Sequence, residues 1–193
     1  MRASIGLIGL LTLLLGSLYL WFSVNPLLRV FNVEEEELDP FSSNAIATTF
    51  IFVAIDCPIS NRYSPEIQKL ANVYSPLGID FHLVYVKPGI KVKDIEKHIN
   101  YFFSNMFSVL LDPYHDLVRL SEATVTPQAA IFDNQRNLVY SGRIDDRYID
   151  YGKQRSIIQN TDLENALRSV LSNKNPSEKR TPVVGCYIED LRK

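Results

Sequence analysis

Hydrophobic and polar positions change period several times along the 193-residue chain, and each change marks an element. The first stretch has no period at all: from Ala3 to Val24 no charge interrupts a run dominated by Leu and Ile. About 20 apolar residues are what a helix needs to cross the hydrocarbon of a bilayer. Residues 1–25 therefore predict a signal anchor or a signal peptide. Tyr19 and Trp21 stand near the far end, where aromatic rings suit the membrane interface. Bulky residues follow Leu15-Gly16-Ser17, a poor cleavage site, so an uncleaved transmembrane helix is expected. Arg2 lies on the short side, and Glu34 to Glu37 with Asp39 lie beyond. That asymmetry keeps the N-terminus cytoplasmic and puts the rest on the periplasmic or other extracytoplasmic side, as a single-pass cell-membrane protein.

Residues 26–44 read as an exposed juxtamembrane linker, with Pro26, the acidic run and Asp39-Pro40. From residue 45 apolar runs alternate with amphipathic ones. Thr48 to Ile55 is continuous and β-rich, as expected of a strand buried on both faces. Ser64 to Tyr74 has Ile67, Leu70, Ala71 and Tyr74 at helical spacing, and Ile79 to Val86 is a second buried strand. Lys93 to Phe103 is a second helix, Val109 to Leu111 a short strand and Asp116 to Ser121 a short helical stretch. Ala129 to Phe132 and Leu138 to Ser141 flank the turn cluster 133–137 and predict an antiparallel hairpin. A long loop, 145–160, precedes a last helix that starts at Thr161, where Thr161 and Glu164 fit a capping box. This order describes an α/β domain over 45–172, a mixed central sheet flanked by helices on both faces, followed by a tail at 173–193.

Composition narrows the function. Hydrophobic residues make up 46% and charged residues 22%, as in ordinary folded proteins, and the net charge of −2 lacks the basic excess that nucleic acid demands. The three histidines are scattered without metal-ligand spacing, so no metal and no cofactor are expected. Two cysteines, Cys57 and Cys186, are too few for a disulfide scaffold and enough for one redox pair or two unrelated thiols. Outside the cytoplasm a disulfide between them would persist.

Cys57 directly follows the first buried strand and opens a helix. The unpaired amides at a helix N-terminus stabilise a thiolate, so this is a place for a reactive sulfur rather than an inert buried one. Pro58 suits the first helical position because it has no amide hydrogen to lose.

Phe52-Val53-Ala54-Ile55-Asp56-Cys57-Pro58-Ile59-Ser60, with Pro65 eight residues after the cysteine, resembles the active-site strand, Cys-x-x-Cys turn and proline-bearing helix of thioredoxins. Thr126-Pro127 resembles their cis-proline loop, and the likeness extends over roughly 45–172. Within that superfamily the stretches 56–61, 142–148 and 181–186 resemble exported redoxins, the group of peroxiredoxin-like and thiol–disulfide exchange proteins. The resemblance implies a thioredoxin-like fold, Cys57 as nucleophile, and Pro127 beside its sulfur. It also implies that Thr126 and Pro58 line the substrate site.

Two positions depart from the pattern. Ser60 replaces the second cysteine of the motif; its hydroxyl can donate to a thiolate but cannot close a disulfide. Ala54 stands where peroxiredoxins carry a threonine, which tilts the expected substrate from a hydroperoxide toward a protein disulfide. Copper-delivering relatives use Cys-x-x-x-Cys, and here Asn61 takes the second place.

A monothiol site needs a resolving thiol, and Cys186 is the candidate. Thr181 to Ile188 is apolar for a loose terminus, so the tail can dock and bring Cys186 to Cys57; the alternative is that Cys186 packs elsewhere or pairs with another protein. Arg143 and Arg147, alternating with aspartates, either line a substrate groove or form salt bridges that fix the long loop. The expectation is a membrane-tethered thiol–disulfide oxidoreductase acting on a disulfide-bearing protein and re-reduced by an external thiol donor. Its rivals are a thiol peroxidase acting on a hydroperoxide and a redox-inactive module that binds a partner.

Overall fold

The computed structural model describes residues 28–41, 44–104 and 107–191. The apolar run at 3–24, and with it the expected membrane anchor, lies outside the described residues. Among the described residues no helix is long and apolar enough to cross a membrane.

Strand β1 (Ala47–Val53) is buried at all seven positions, which is why its sequence is apolar without alternation. It lies at the middle of a five-stranded sheet in the order β3-β2-β1-β5-β6. Strands β2 (Ile79–Tyr85) and β3 (Ser108–Leu111) continue parallel on one side. Antiparallel β5 (Gln128–Asp133) and β6 (Leu138–Gly142) complete the other. The β5–β6 turn forms where the sequence places it: the Asp133 carboxylate accepts from the amides of Gln135 and Asn137 at 2.9 and 2.8 Å. Helices α1 (Pro58–Tyr74) and α2 (Val92–Phe102) are the crossovers between the parallel strands, α3 (Asp116–Leu120) follows β3, and α4 (Asp162–Leu171) follows the hairpin.

Alternate strand residues face two cores. Ile51, Val53, Leu83 and Ile131 pack with Ile67 and Leu70 of α1, Ile95 of α2 and Leu163 and Leu167 of α4. Phe50, Phe52, Val84 and Phe132 face the other way, against Leu117 and Val118 of α3. Five residues of helix cannot cover that face, and the segment before β1 finishes the cover. This corrects the expectation of an exposed linker at 26–44. Val30 and Phe41 are buried, and Phe41 stands edge-on to Phe50 and Phe132, each at 5.4 Å between centroids. Phe31 exchanges backbone bonds with Leu111 at 3.0 and 2.8 Å, and Arg29 pairs with Asp116 at 2.9 Å. The acidic residues Glu34 to Glu37 and Asp39 keep the exposure their charge predicts.

Helix α1 starts at Pro58, earlier than the Ser64 expected from periodicity, with Cys57 as its N-cap. Pro65 lies inside it and cannot donate to Asn61 four residues back; the Ser64 hydroxyl supplies that bond to the Asn61 carbonyl at 2.9 Å. Thr161 does cap α4, but its side chain makes no capping bond. Glu164 turns instead to Arg168 at 2.7 Å and the Tyr74 hydroxyl at 3.2 Å, so the expected reciprocal box is not formed.

The long loop carries its own hairpin, β7 (Tyr148–Asp150) and β8 (Lys153–Gln154). After α4 the tail runs back over the sheet edge. Ser141 donates to the Lys179 carbonyl at 3.0 Å, and Arg180 pairs with Glu122 at 2.7 and 3.0 Å. Gly142 permits this crossing, since a Cβ there would collide with the Thr181 hydroxyl. The tail ends in β9 (Cys186–Tyr187), antiparallel to the short β4 (Val125–Thr126).

Candidate active site

The site forms where β1 ends. Cys57 has extended backbone angles, φ −93° and ψ 107°, as an N-cap requires, and its sulfur accepts from the Ser60 amide at 3.5 Å. The residue is fully buried. Its thiol donates to the carbonyl of Thr126 at 3.0 Å. The Thr126–Pro127 peptide is cis, so the loop has the geometry the resemblance implies, and both residues are buried.

Thr126 is also where the tail arrives. It pairs with Cys186 in the β4–β9 ladder, and its hydroxyl lies 3.5 Å from the Cys186 carbonyl. The Ile188 amide extends the contact to the Thr124 carbonyl at 2.9 Å. Gly185 makes this approach possible: a Cβ would collide with the Thr126 oxygen and lie 2.8 Å from its carbonyl carbon. The two free cysteines are brought together here, since Thr126 accepts from the Cys57 thiol and pairs with Cys186 in the ladder.

Opposing effects set the acidity of Cys57. Burial pushes the thiol up. The Cys186 thiol, the hydroxyl and amide of Ser60 and the amide of Cys186 all donate to the anion and pull it down, and together they hold it below the ordinary cysteine value. The Thr126 carbonyl acts the other way while the proton remains, since it accepts from the neutral thiol. Ser60 Oγ is buried without a well-directed partner. Rotating its hydrogen toward the sulfur satisfies it once the proton has gone, so the position of the missing motif cysteine still favours the thiolate.

Cys186 differs. Burial pushes its thiol up, and donation to Cys57 adds to the rise; a hydrogen bond from Tyr151 offsets only part. The Tyr151 hydroxyl lies 3.0 Å from the Cys186 sulfur, and its own pKa is raised, first by that bond.

The remaining sequence-predicted residues divide. Pro58 takes the first turn of α1 and is exposed beside Cys57. Arg143 bonds the Asp162 carboxylate at 2.7 Å, and its amide donates to the Thr181 hydroxyl at 3.0 Å. Arg147 pairs with Asp145 at 3.3 Å and lies over the Tyr63 ring at 5.0 Å, while Tyr63 also bonds Asp145. Both arginines are therefore held in ion pairs, Arg143 with the start of α4 and Arg147 within the long loop.

Sequence reasoning missed three participants. Tyr151 lies in a hairpin turn far along the chain from either cysteine, and Gly185 acts through its lack of a side chain. The third is a buried relay behind α1. Tyr85 donates to His98 Nδ1 at 2.7 Å, and His98 Nε2 donates to Asn61 Oδ1 at 2.7 Å. The Asn61 amide reaches the Ile55 carbonyl at 3.3 Å. Burial lowers the His98 pKa, consistent with the neutral ring this chain of bonds uses. The relay ties α2 to the turn that presents Cys57.

No protein-family model and no curated protein matches the chain. Among solved structures it is similar to an uncharacterized conserved protein from Geobacillus kaustophilus, with 22% identity and a TM-score of 0.71 over 87% of this chain and 90% of that one. A hypothetical protein from Sinorhizobium meliloti 1021 is similar at 20% identity and a TM-score of 0.69, over 85% of this chain and 91% of that one. A thioredoxin-like protein from Aeropyrum pernix matches at 15% identity and a TM-score of 0.52, over 65% of this chain and 85% of that one. With its central mixed sheet, its cysteine at the start of α1 and its cis-proline beside the sulfur, this chain has the thioredoxin-like fold.

Proposed function

We propose that this protein is a thiol–disulfide oxidoreductase in which Cys57 is the nucleophile and Cys186 the resolving thiol. One observation carries the reading: the β4–β9 ladder holds Cys186 against Thr126, whose carbonyl accepts the Cys57 thiol. A structural cysteine needs no second thiol delivered to it, nor a glycine kept bare for the delivery.

In the first step the tail lifts from Thr126, and the Cys57 thiolate attacks one sulfur of a substrate disulfide, forms a mixed disulfide and releases the other sulfur as thiolate. Ser60 and the amides at the start of α1 stabilise the attacking anion. In the second step Cys186 loses its proton and attacks the Cys57 sulfur. The remaining substrate thiolate leaves, and a Cys57–Cys186 disulfide forms. An external thiol donor reduces it. The apolar run at 3–24 supports tethering to a membrane, with the domain in an extracytoplasmic compartment where such a cycle can hold its oxidised state.

A second reading is favoured by one observation, the complete burial of Cys57. A hydroperoxide is small enough to reach a buried sulfur. The thiolate would attack its terminal oxygen, giving a sulfenic acid and an alcohol, and Cys186 would condense with it to release water. Turnover by the reduced full chain with a disulfide-bearing peptide and with a hydroperoxide, against Cys57→Ser, separates the readings. Faster turnover of the peptide supports disulfide exchange, and faster turnover of the hydroperoxide supports the peroxidase. Equal inertness of wild type and variant to both leaves the redox-inactive binding module.

A further inference from the structure

We propose that the donor thiol opens the Cys57–Cys186 disulfide at Cys186, and that Tyr151 is a catalytic residue of the step that follows, the departure of Cys186 from the donor sulfur, through its contact with the Cys186 sulfur. The inference rests on the two-cysteine reading above and gives it a direction.

Thiol–disulfide exchange can start at either sulfur, and two factors choose: access, and which sulfur leaves as the better thiolate. Cys57 is 0% exposed, enclosed by Ser60, Thr126 and the tail. Cys186 is half-buried, on a two-residue strand whose neighbour Tyr187 is 90% exposed, and Tyr151 beside it is 63% exposed. A donor thiol can therefore approach Cys186 from solvent, whereas reaching Cys57 requires the tail to lift. Attack at Cys186 also expels Cys57, the sulfur that the helix N-terminus and Ser60 stabilise as an anion. Access and leaving-group quality thus agree.

The donor thiolate forms a bond to Cys186 Sγ, the bond to Cys57 breaks, and the electron pair leaves with Cys57 as its thiolate. Cys186 now carries the donor as a mixed disulfide. A second donor thiolate attacks the donor sulfur and expels Cys186 as a thiolate, which then takes a proton from solvent. Two donor thiols end as one disulfide, and one protein disulfide ends as two thiols.

The second departure is the harder, because no helix N-terminus serves Cys186. The Tyr151 hydroxyl, 3.0 Å from that sulfur, supplies the missing donor. The hairpin in the long loop sets its place. Tyr151 and Gly152 join Asp150 to Lys153, the Tyr151 amide bonds the Asp150 carboxylate at 2.7 Å, and the Arg155 amide bonds the Arg147 carbonyl at 2.8 Å.

The test uses the full chain. It is first oxidised, and the Cys57–Cys186 disulfide is mapped by mass spectrometry. Absence of that disulfide overturns the two-cysteine reading and the inference with it, before any donor is added. The oxidised protein is then mixed briefly with glutathione and quenched with acid. Glutathione is expected on Cys186 in about tenfold excess over Cys57; a majority on Cys57 overturns the direction of attack while leaving the disulfide intact. For Tyr151, Cys57→Ser and Cys186→Ser chains are each loaded with glutathione, and its release by a second thiol is timed. Tyr151→Phe is expected to slow release from Cys186 about fivefold, the worth of one hydrogen bond. It is also expected to raise the pH midpoint for alkylation of Cys186 in the Cys57→Ser background. Release from Cys186 at the wild-type rate, or equal slowing at both cysteines, overturns the role of Tyr151.

Discussion

Replacing Gly185 with alanine tests whether the tail delivers the resolving thiol. The new Cβ would collide with the Thr126 oxygen and sit 2.8 Å from its carbonyl carbon and 3.2 Å from the Val125 side chain. Two of these neighbours are backbone, so β9 must move away from β4. The movement loosens the ladder pairing at Thr126, the Ile188–Thr124 bond at 2.9 Å and the weak Thr126–Cys186 bond at 3.5 Å. At about 1 kcal/mol for a typical hydrogen bond, the loss is about 2 kcal/mol. If the displaced tail must return before Cys186 can attack, closure of the disulfide slows by about 30-fold. The fold survives, because Thr181 still bonds Tyr140 at 2.9 Å and the Arg143 amide at 3.0 Å. A loss of about 2 kcal/mol is also well within the stability of an ordinary domain. The assay is a pulse of oxidant, a rapid alkylating quench and counting of the Cys57–Cys186 disulfide against time. Closure in Gly185→Ala within about twofold of wild type would refute the delivery argument.

Three further outcomes follow from the same structure. Ser60→Ala and Cys186→Ala each remove a donor to the Cys57 thiolate, which favours the neutral thiol; the pH midpoint for Cys57 alkylation should rise in both, with slower reaction below it, and an unchanged midpoint in both would contradict the assigned cause. Arg143→Ala breaks a half-buried pair with Asp162 and should cost about 1–3 kcal/mol in denaturant unfolding without moving that midpoint, whereas a substrate-groove role predicts lost turnover at unchanged stability. Phe41→Ala should cost about 3 kcal/mol by the same unfolding measurement, because its ring closes a cluster with Phe50 and Phe132; a change under about 0.5 kcal/mol would return the segment to the status of an exposed spacer.

The elements legible in the sequence were those whose pattern is local. β1 is buried at every position and β2 at all but Asp80 and His82 because the sheet is covered on both faces, and the β5–β6 turn announces itself through the Asp133 to Asn137 cluster. Cys57 was legible as well, since a cysteine between a buried strand and a proline is placed by chain order alone. Long-range contacts were not legible in the same way. Val30 and Phe41 look like isolated apolar residues near an acidic run, and only the shortness of α3 explains why the second face needs them. The helical period becomes visible only from Ser64, yet the Ser64 hydroxyl replaces the bond that Pro65 cannot make and lets α1 begin at Pro58. Thr161 and Glu164 have the spacing of a capping box, but Arg168 and Tyr74 compete for the glutamate. Tyr151 and Gly185 act on a site formed by segments dozens of residues away. A single sequence carries no period that could reveal them.

The central claim is that Cys57 and Cys186 work as one redox pair, and equilibration of the full chain in glutathione buffers of graded potential tests it most directly. Thiol and disulfide species are counted by mass spectrometry after acid quench. The account predicts a single two-electron transition between the dithiol and a Cys57–Cys186 disulfide, lost in both Cys57→Ser and Cys186→Ser. Two thiols that acquire glutathione independently across the whole range, with no bond between them, would contradict it.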